Sequence, residues 1–213
     1  MREATRIIAV RHGRTAWNAE MRMQGQLDTA LDARGRWQAQ QLAQALAHEA
    51  VDAIVASDLS RAMATAAPLA EARGQRVQRE PGLRERSFGV FEGFTYADIE
   101  RQWPDEVLRW RSRDPTFAPP RGERLSAFYE RCLDVASRLA ARHPGRAVVW
   151  VTHGGVLDCL YRAAARIALD APRTWALDNA SVNRLLHGDQ GLMLVGWGDV
   201  GHLDTPGVDT REA

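Results

Sequence analysis

Two of the six histidines in this 213-residue chain stand in the same local setting. His12 follows Arg11 and precedes Gly13 at the end of the apolar run Ile7-Ile8-Ala9-Val10. His153 precedes Gly154 at the end of Ala147-Val148-Val149-Trp150-Val151-Thr152. Runs rich in Ile and Val read as buried strands, and open α/β sheets bind ligands beyond the carboxyl ends of their strands. Two imidazoles therefore face one crevice with a guanidinium beside them, an arrangement suited to phosphoryl chemistry. A phosphate monoester resists attack because its oxygens are negative and its leaving alkoxide is poor. Catalysis then needs charge neutralisation, an aligned nucleophile and a proton for the leaving oxygen.

Imidazole can attack phosphorus at neutral pH because much of it is unprotonated there, which makes His12 the candidate nucleophile. Arg11 and Arg61 offer planar forks that grip phosphoryl oxygens bidentately, and Arg61 stands just after a strand within Ser57-Asp58-Leu59-Ser60-Arg61. His153 can donate to the same oxygens, and Asn18 adds a neutral donor. Glycines 13, 154 and 155 allow close backbone approach, and the helix that begins at the last two aims amides at an anion. For the proton, Glu85 stands between Arg84 and Arg86, with Glu92 and Glu123 as competitors. A dianionic phosphate nearby favours the protonated carboxyl that a general acid needs.

These residues need a frame to hold them. Strand-like runs at 5–10, 52–56 and 146–151 alternate with helical stretches. Asp32 is placed to cap a helix carrying Trp37, Leu42 and Leu46 on one side, and the alanine-rich segment 59–71 is helical in propensity. Leu125, Phe128, Cys132, Val135 and Leu139 recur at steps of three and four, which predicts a helix over 125–141. His143-Pro144-Gly145 ends it. A further helix is expected from Gly155 to about Ala168. Asn183–His187 and Leu192–Trp197 flank Gly188-Asp189-Gln190-Gly191, a hairpin signal. The pattern predicts a three-layer α/β sandwich: a mostly parallel sheet, helices on both faces and an antiparallel hairpin near the C-terminus. The Arg-rich, Gly- and Pro-containing stretch 82–124 is expected to form a partly irregular lid within a single domain spanning 1–213.

Composition narrows the chemistry. All 28 basic side chains are arginine, so Schiff-base catalysis, a lysine-held pyridoxal phosphate and a lysine-bearing P-loop are excluded. Net charge is +1, which gives no global field for nucleic acid or membrane. Cys132 and Cys159 lie in apolar helical patterns without a C-x-x-C spacing and read as buried thiols. The first strand begins almost at once, and every apolar stretch is interrupted well short of a membrane span, so a cytoplasmic protein is expected. No HExxH, GxSxG or carboxylate-rich metal cluster appears, and no metal or cofactor is expected. His48, His143 and His187 read as surface or structural residues, while His202 is expected in a terminal segment packing beside the site.

Five ordered blocks carry a further signal. Val10-Arg11-His12-Gly13 with Trp17-Asn18, Gln24-Gly25, Leu31 and Gly35 resembles the opening block of the histidine phosphatase superfamily, which includes the cofactor-dependent phosphoglycerate mutases. Ala56-Ser57-Asp58-Leu59-Ser60-Arg61-Ala62 with Thr65-Ala66 resembles its second block. Leu83-Arg84-Glu85 with Phe88-Gly89 and Phe91-Glu92-Gly93 resembles the third, Gly122-Glu123 the fourth, and Val151-Thr152-His153-Gly154-Gly155 the fifth. Asn179-Ala180-Ser181 and His202-Leu203 also match.

The resemblance implies a phosphohistidine intermediate on His12 and Glu85 as general acid. It also implies a phosphate site drawing on Arg11, Asn18, Gln24, Gly25, Arg61, His153 and Gly154. The expected partner is a small phosphorylated metabolite with inorganic phosphate as product; a homodimer is allowed. Only 68 residues separate Glu85 from His153, an interval that resembles the compact phosphatase branch. A metal-independent phosphomonoesterase is thus expected, with a phosphoglycerate mutase as the alternative. Arg109, Arg111, Arg113, Arg121 and Arg124 crowd the lid, and either an anionic substrate or a solvated basic face accounts for them. Arg14 departs from the family pattern by adding positive charge near the site, and Arg124 departs from it after Gly-Glu.

Overall fold

In the computed structural model, which describes residues 3–204, a six-stranded sheet runs β3-β2-β4-β1-β5-β6. The strands are β1 (Thr5–Arg11), β2 (Ala53–Ala56), β3 (Val77–Arg79), β4 (Ala147–Thr152), β5 (Val182–Gly188) and β6 (Gly191–Asp199). The first four are parallel; β5 runs antiparallel to β1, and β6 antiparallel to β5. The helices are α1 (Ala16–Ala19), α2 (Ala33–Ala45), α3 (Ser60–Ala72), α4 (Tyr96–Gln102), α5 (Pro104–Arg111), α6 (Leu125–Ala141) and α7 (Gly154–Ala165). The three-layer α/β sandwich with a C-terminal hairpin is thus the observed fold. Residues 1–2 and 205–213, the ends of the expected domain, lie outside the described residues.

Alternation along each central strand separates two cores, because successive side chains leave opposite faces of the sheet. Ile7, Ala9, Val55, Val148 and Trp150 pack with Phe128, Cys132 and Leu139 of α6 and Leu157 and Cys159 of α7. Ile8, Val10, Ile54, Val149 and Val151 face Leu42 of α2 and Ala66 and Leu69 of α3. A sheet apolar on both faces must be covered on both, which is why the parallel strands read as unbroken apolar runs. Asp32 caps α2 by accepting from the Gly35 amide at 2.7 Å. The buried side of α2 carries Gln38, Ala39, Leu42 and Ala43, however; Trp37 lies half-exposed beneath the Arg34 guanidinium, 3.8 Å from its ring centroid.

The segment 82–124 is more ordered than its sequence suggests. It contains α4 and α5, and its apolar residues Phe91, Ile99, Val107 and Phe117 form a separate small core with Met23. Trp103 joins Phe91 and Phe94 there, with ring centroids 5.4 Å apart in each case. The turn at Gly201–Leu203 packs on α2, so His202 does not line the catalytic cavity described below.

Candidate active site

Strand register alone brings the two imidazoles together. β1 and β4 are parallel neighbours with Arg11 level with Thr152, so His12 and His153 are the next residues out on adjacent strands. The His12 amide donates to the Thr152 carbonyl at 2.9 Å, and the two rings stand 5.2 Å apart between centroids. Beyond these strand ends opens a cavity of about 860 Å³ lined by Arg11, His12, Asn18, Gln24, Gly25, Arg61, Glu85 and Gly154. His153 is fully buried and packs behind His12 rather than in the cavity wall.

His12 has a defined tautomer. Its Nδ1 lies 2.7 Å from the Gly13 carbonyl oxygen, which can only accept, so Nδ1 carries the proton and Nε2 keeps its lone pair. Burial, reinforced by the Arg61 and Arg11 charges, holds the His12 pKa well below the ordinary histidine value. The same causes act on His153, whose two ring nitrogens have no hydrogen-bond partner among the described residues. Both rings are therefore neutral at pH 7.

Seven arginines line the cavity, and their pairing separates them into two groups. Arg22, Arg111 and Arg113 are neutralised by Glu20, Glu100 and Asp158. Arg11, Arg61, Arg86 and Arg173 make no ion pair among the described residues. Arg61 is fully buried and donates to the carbonyls of Gly25 at 2.7 Å and Leu27 at 2.9 Å; burial brings its pKa down to about 10. Arg11, its pKa likewise lowered by burial, donates to the Leu177 carbonyl and leaves Nε unpartnered. Burying a cation without a counter-ion costs several kcal/mol, so buried Arg61, with half-buried Arg11 beside it, is suited to hold an anion.

Glu85 is held by backbone donors. Its Oε1 accepts from the Arg86 amide at 2.8 Å and its Oε2 from the Gly155 amide at 2.9 Å. A Cβ at position 155 would lie 2.1 Å from Oε1, so only glycine lets this carboxylate reach the start of α7. One of the amides expected to face an anion at that helix start is thereby already in use. The competing carboxylates are committed elsewhere. Glu92 accepts from the amides of Phe88 and Gln26, and Glu123 pairs with Arg131; neither lines the cavity.

Three further residues position the site, and of these Arg131 stands outside the motif blocks. Arg131 of α6 donates to the carbonyls of Gly82 at 2.7 Å and Arg84 at 3.0 Å, and the Thr152 hydroxyl donates to the Leu83 carbonyl at 2.8 Å. Together they fix the backbone that carries Glu85. Thr65 of α3 accepts from the Gly13 amide at 2.9 Å and donates to the Arg61 carbonyl at 2.7 Å, tying the loop after His12 to the helix that carries Arg61.

Asn18 caps α1 reciprocally with Thr15, and its side-chain oxygen also accepts from Asn179, which leaves Nδ2 for the cavity. Gln24 likewise spends its oxygen on the Thr29 hydroxyl, and Gly25 contributes the carbonyl that holds Arg61. Arg14 departs from expectation: it pairs with Asp32 at 2.8 Å and lies outside the cavity, so it adds no charge there. Arg109, Arg121 and Arg124 are outside it as well. Tyr96, Trp110, Asp158, Arg173 and Asp178 also line the cavity and carry no motif signal.

The neutral buried imidazoles have a measurable consequence. In the unfolded chain they titrate near pH 6.5, whereas in the folded protein they resist protonation. Their stabilisation is complete above that pH and is lost as pH falls from about 6.5 towards the lowered folded values. Each contributes up to about 1.4 kcal/mol per pH unit in that window. Urea unfolding at pH 7.5 and 5.5 should show the loss, and His12→Gln/His153→Gln should flatten it. An unchanged slope in that variant would refute the assignment.

Residues 7–200 match the family model described as histidine phosphatase superfamily (branch 1). The chain is 39% identical over 206 residues to phosphoglycerate mutase-like protein 4 of Arabidopsis thaliana, covering 94% of this chain and 88% of that protein. It is 35% identical over 212 residues to a metal-independent phosphoserine phosphatase of the same plant, covering 98% and 87%. Among solved structures, mycobacterial glucosyl-3-phosphoglycerate phosphatase Rv2419c complexed with VO3 superposes with a TM-score of 0.80 at 35% identity, covering 93% of this chain and 99% of that one.

Proposed function

The chain belongs to branch 1 of the histidine phosphatase superfamily and is an enzyme of that superfamily, and within it we propose a metal-independent phosphomonoester hydrolase working through a phosphohistidine. The observation that carries this reading is the His12 tautomer. Nδ1–H is spent on the Gly13 carbonyl, so the Nε2 lone pair is free, beside buried Arg61 and half-buried Arg11, which make no ion pair among the described residues.

The substrate phosphoryl group sits on Arg11 and Arg61, with Asn18 Nδ2, Gln24 and the Gly154 backbone as neutral contacts, while His153 backs His12 from its buried position. His12 Nε2 attacks phosphorus, the bond to the ester oxygen breaks, and Glu85 gives that oxygen its proton. Water then attacks the phosphorus on His12, its proton passes to Glu85, the P–N bond breaks, and inorganic phosphate leaves. Segment 82–124 acts as a lid within one domain over 1–213: it supplies Glu85, Arg86, Phe88, Tyr96 and Trp110 to the cavity. The substrate is a small phosphorylated metabolite. Positive charge at phosphorus comes from guanidinium groups, which do the work a divalent ion does in metallophosphatases.

Two measurements test this together. Purified enzyme dialysed against a chelator should keep its activity and release free phosphate from several monoesters. Activity lost to chelation and restored by one divalent metal would refute metal independence. Efficient isomerisation of 3-phosphoglycerate, dependent on 2,3-bisphosphoglycerate and with little free phosphate, would establish a mutase instead.

A further inference from the structure

The phosphoryl group occupies only the strand-end part of the cavity. Cavities of roughly 300–1,000 Å³ hold drug-sized ligands, and this one measures about 860 Å³, so the leaving group has room well beyond a three-carbon acid. Two walls of that remaining space are distinctive. One is an aromatic shelf on the lid, where Tyr96 and Trp110 stack with centroids 5.5 Å apart and planes 9° apart, and Phe88 meets Trp110 edge-on at 6.2 Å. Tyr96 is 49% exposed although it lines the cavity, so the shelf keeps an uncovered aromatic surface for a ligand.

The other wall is polar. Asp158 of α7 is 5% exposed; its Oδ2 accepts from Arg113 Nη2 at 2.6 Å and Arg162 Nε at 3.0 Å, while Oδ1 has no partner among the described residues. Arg113 Nε donates to the Leu169 carbonyl at 3.0 Å, and Nη1 has no partner among the described residues. The Arg113 backbone, at φ 56°, is the left-handed residue that closes α5, its amide on the Trp110 carbonyl at 3.0 Å and the Asp114 amide on the Arg109 carbonyl at 3.2 Å, so the end of that helix fixes where the side chain starts. A free acceptor beside a free donor suits a hydroxyl, which can donate and accept at once. A carboxylate can only accept, so it cannot use the Asp158 oxygen.

Resting on the hydrolase reading above, we infer that the preferred leaving group is a sugar, its ring against the Tyr96–Trp110 shelf and its hydroxyls on Asp158 and Arg113. Hydroxylated rings bury their C–H faces on aromatic side chains while their edges need paired donors and acceptors, and the two walls supply one requirement each.

The test compares kcat/KM for glucose 6-phosphate, cyclohexylmethyl phosphate and butyl phosphate, three primary alkyl esters with similar leaving oxygens. The expected order is sugar, then plain ring, then chain, with steps of about tenfold, the scale of one good stacked ring or hydrogen bond. Tyr96→Ala should erase the ring-over-chain step, and Asp158→Asn the sugar-over-ring step. Because Asp158 also pairs with buried Arg162, Arg113→Gln on the lid serves as the second variant for that step. Inhibition by vanadate reports the phosphoryl end and should be unchanged in all three variants. Phosphate release without preference between sugar and chain, or a preference surviving Tyr96→Ala and both polar variants, overturns this inference alone. No phosphate from any ester overturns the hydrolase reading and this inference with it.

Discussion

His12→Ala is expected to lose turnover by on the order of 10⁶-fold, about 8 kcal/mol of barrier, the scale of removing a covalent nucleophile. The fold should survive. The backbone contacts of residue 12, its amide on the Thr152 carbonyl and its carbonyl accepting from Asn179, do not involve the ring. The one hydrogen bond lost is local, to Gly13. The variant should therefore keep its far-UV circular dichroism and still bind vanadate through Arg11 and Arg61. In wild type, an alkaline quench during turnover should trap phosphate on His12, since a P–N bond is acid-labile. Turnover close to wild type in His12→Ala, or a label found only on His153, would end the covalent assignment.

How much of this was legible from residue types varies with the kind of interaction. β1 and β4 are visible because both faces of each strand are buried, so apolar residues run without interruption. β3 is a three-residue edge strand, Val77-Gln78-Arg79, with only its first residue even partly buried, and no pattern that short can announce itself. α4 and α5 escaped because their apolar faces pack on the irregular aromatic segment around Phe91 instead of on the sheet. Trp37 was placed on the buried side of α2 with Leu42, but five residues amount to about 500°, some 140° around the helix from it.

The polar framework of the site is the least visible part. Arg131 and Thr152 hold the Glu85 segment through backbone carbonyls, and every residue has one of those. The same is true of the Gly13 carbonyl that sets the His12 tautomer. The strand-end residues proposed to meet the phosphoryl group leave a mark in sequence; the backbone contacts of Arg131 and Thr152 leave none, even though Thr152 itself sits in a motif block. The pairing of Arg14 with Asp32, and of Arg111 with Glu100, shows the complementary error. Charge counted along the chain overstates charge delivered to a cavity.

Glu85→Gln should slow hydrolysis of an alkyl phosphate by about 10²–10⁴-fold, or roughly 3–5 kcal/mol of barrier, while sparing much of the phosphorylation rate with a nitrophenyl phosphate. An alkoxide leaves only if it is protonated as the bond breaks, whereas a nitrophenolate is stable enough to leave alone. The structure adds a complication that the design must absorb. Both carboxylate oxygens accept backbone N–H bonds, from Arg86 and Gly155, and the amide nitrogen of glutamine cannot accept. One of those two donors is left unpaired, at a cost of about 1–3 kcal/mol, and the loop carrying residue 85 loosens somewhat. That penalty falls on both substrates alike, so the informative quantity is the ratio of their losses rather than either loss. Single-turnover rates are required, because Glu85 also takes the proton from water in the second half-reaction and would otherwise limit the steady state for both. Equal losses for the two esters in the phosphorylation step would make Glu85 a structural or electrostatic residue. Glu123 is then the next candidate: its ion pair with Arg131, 20–25% exposed on each side chain, can be released more readily than the two backbone bonds that hold Glu92.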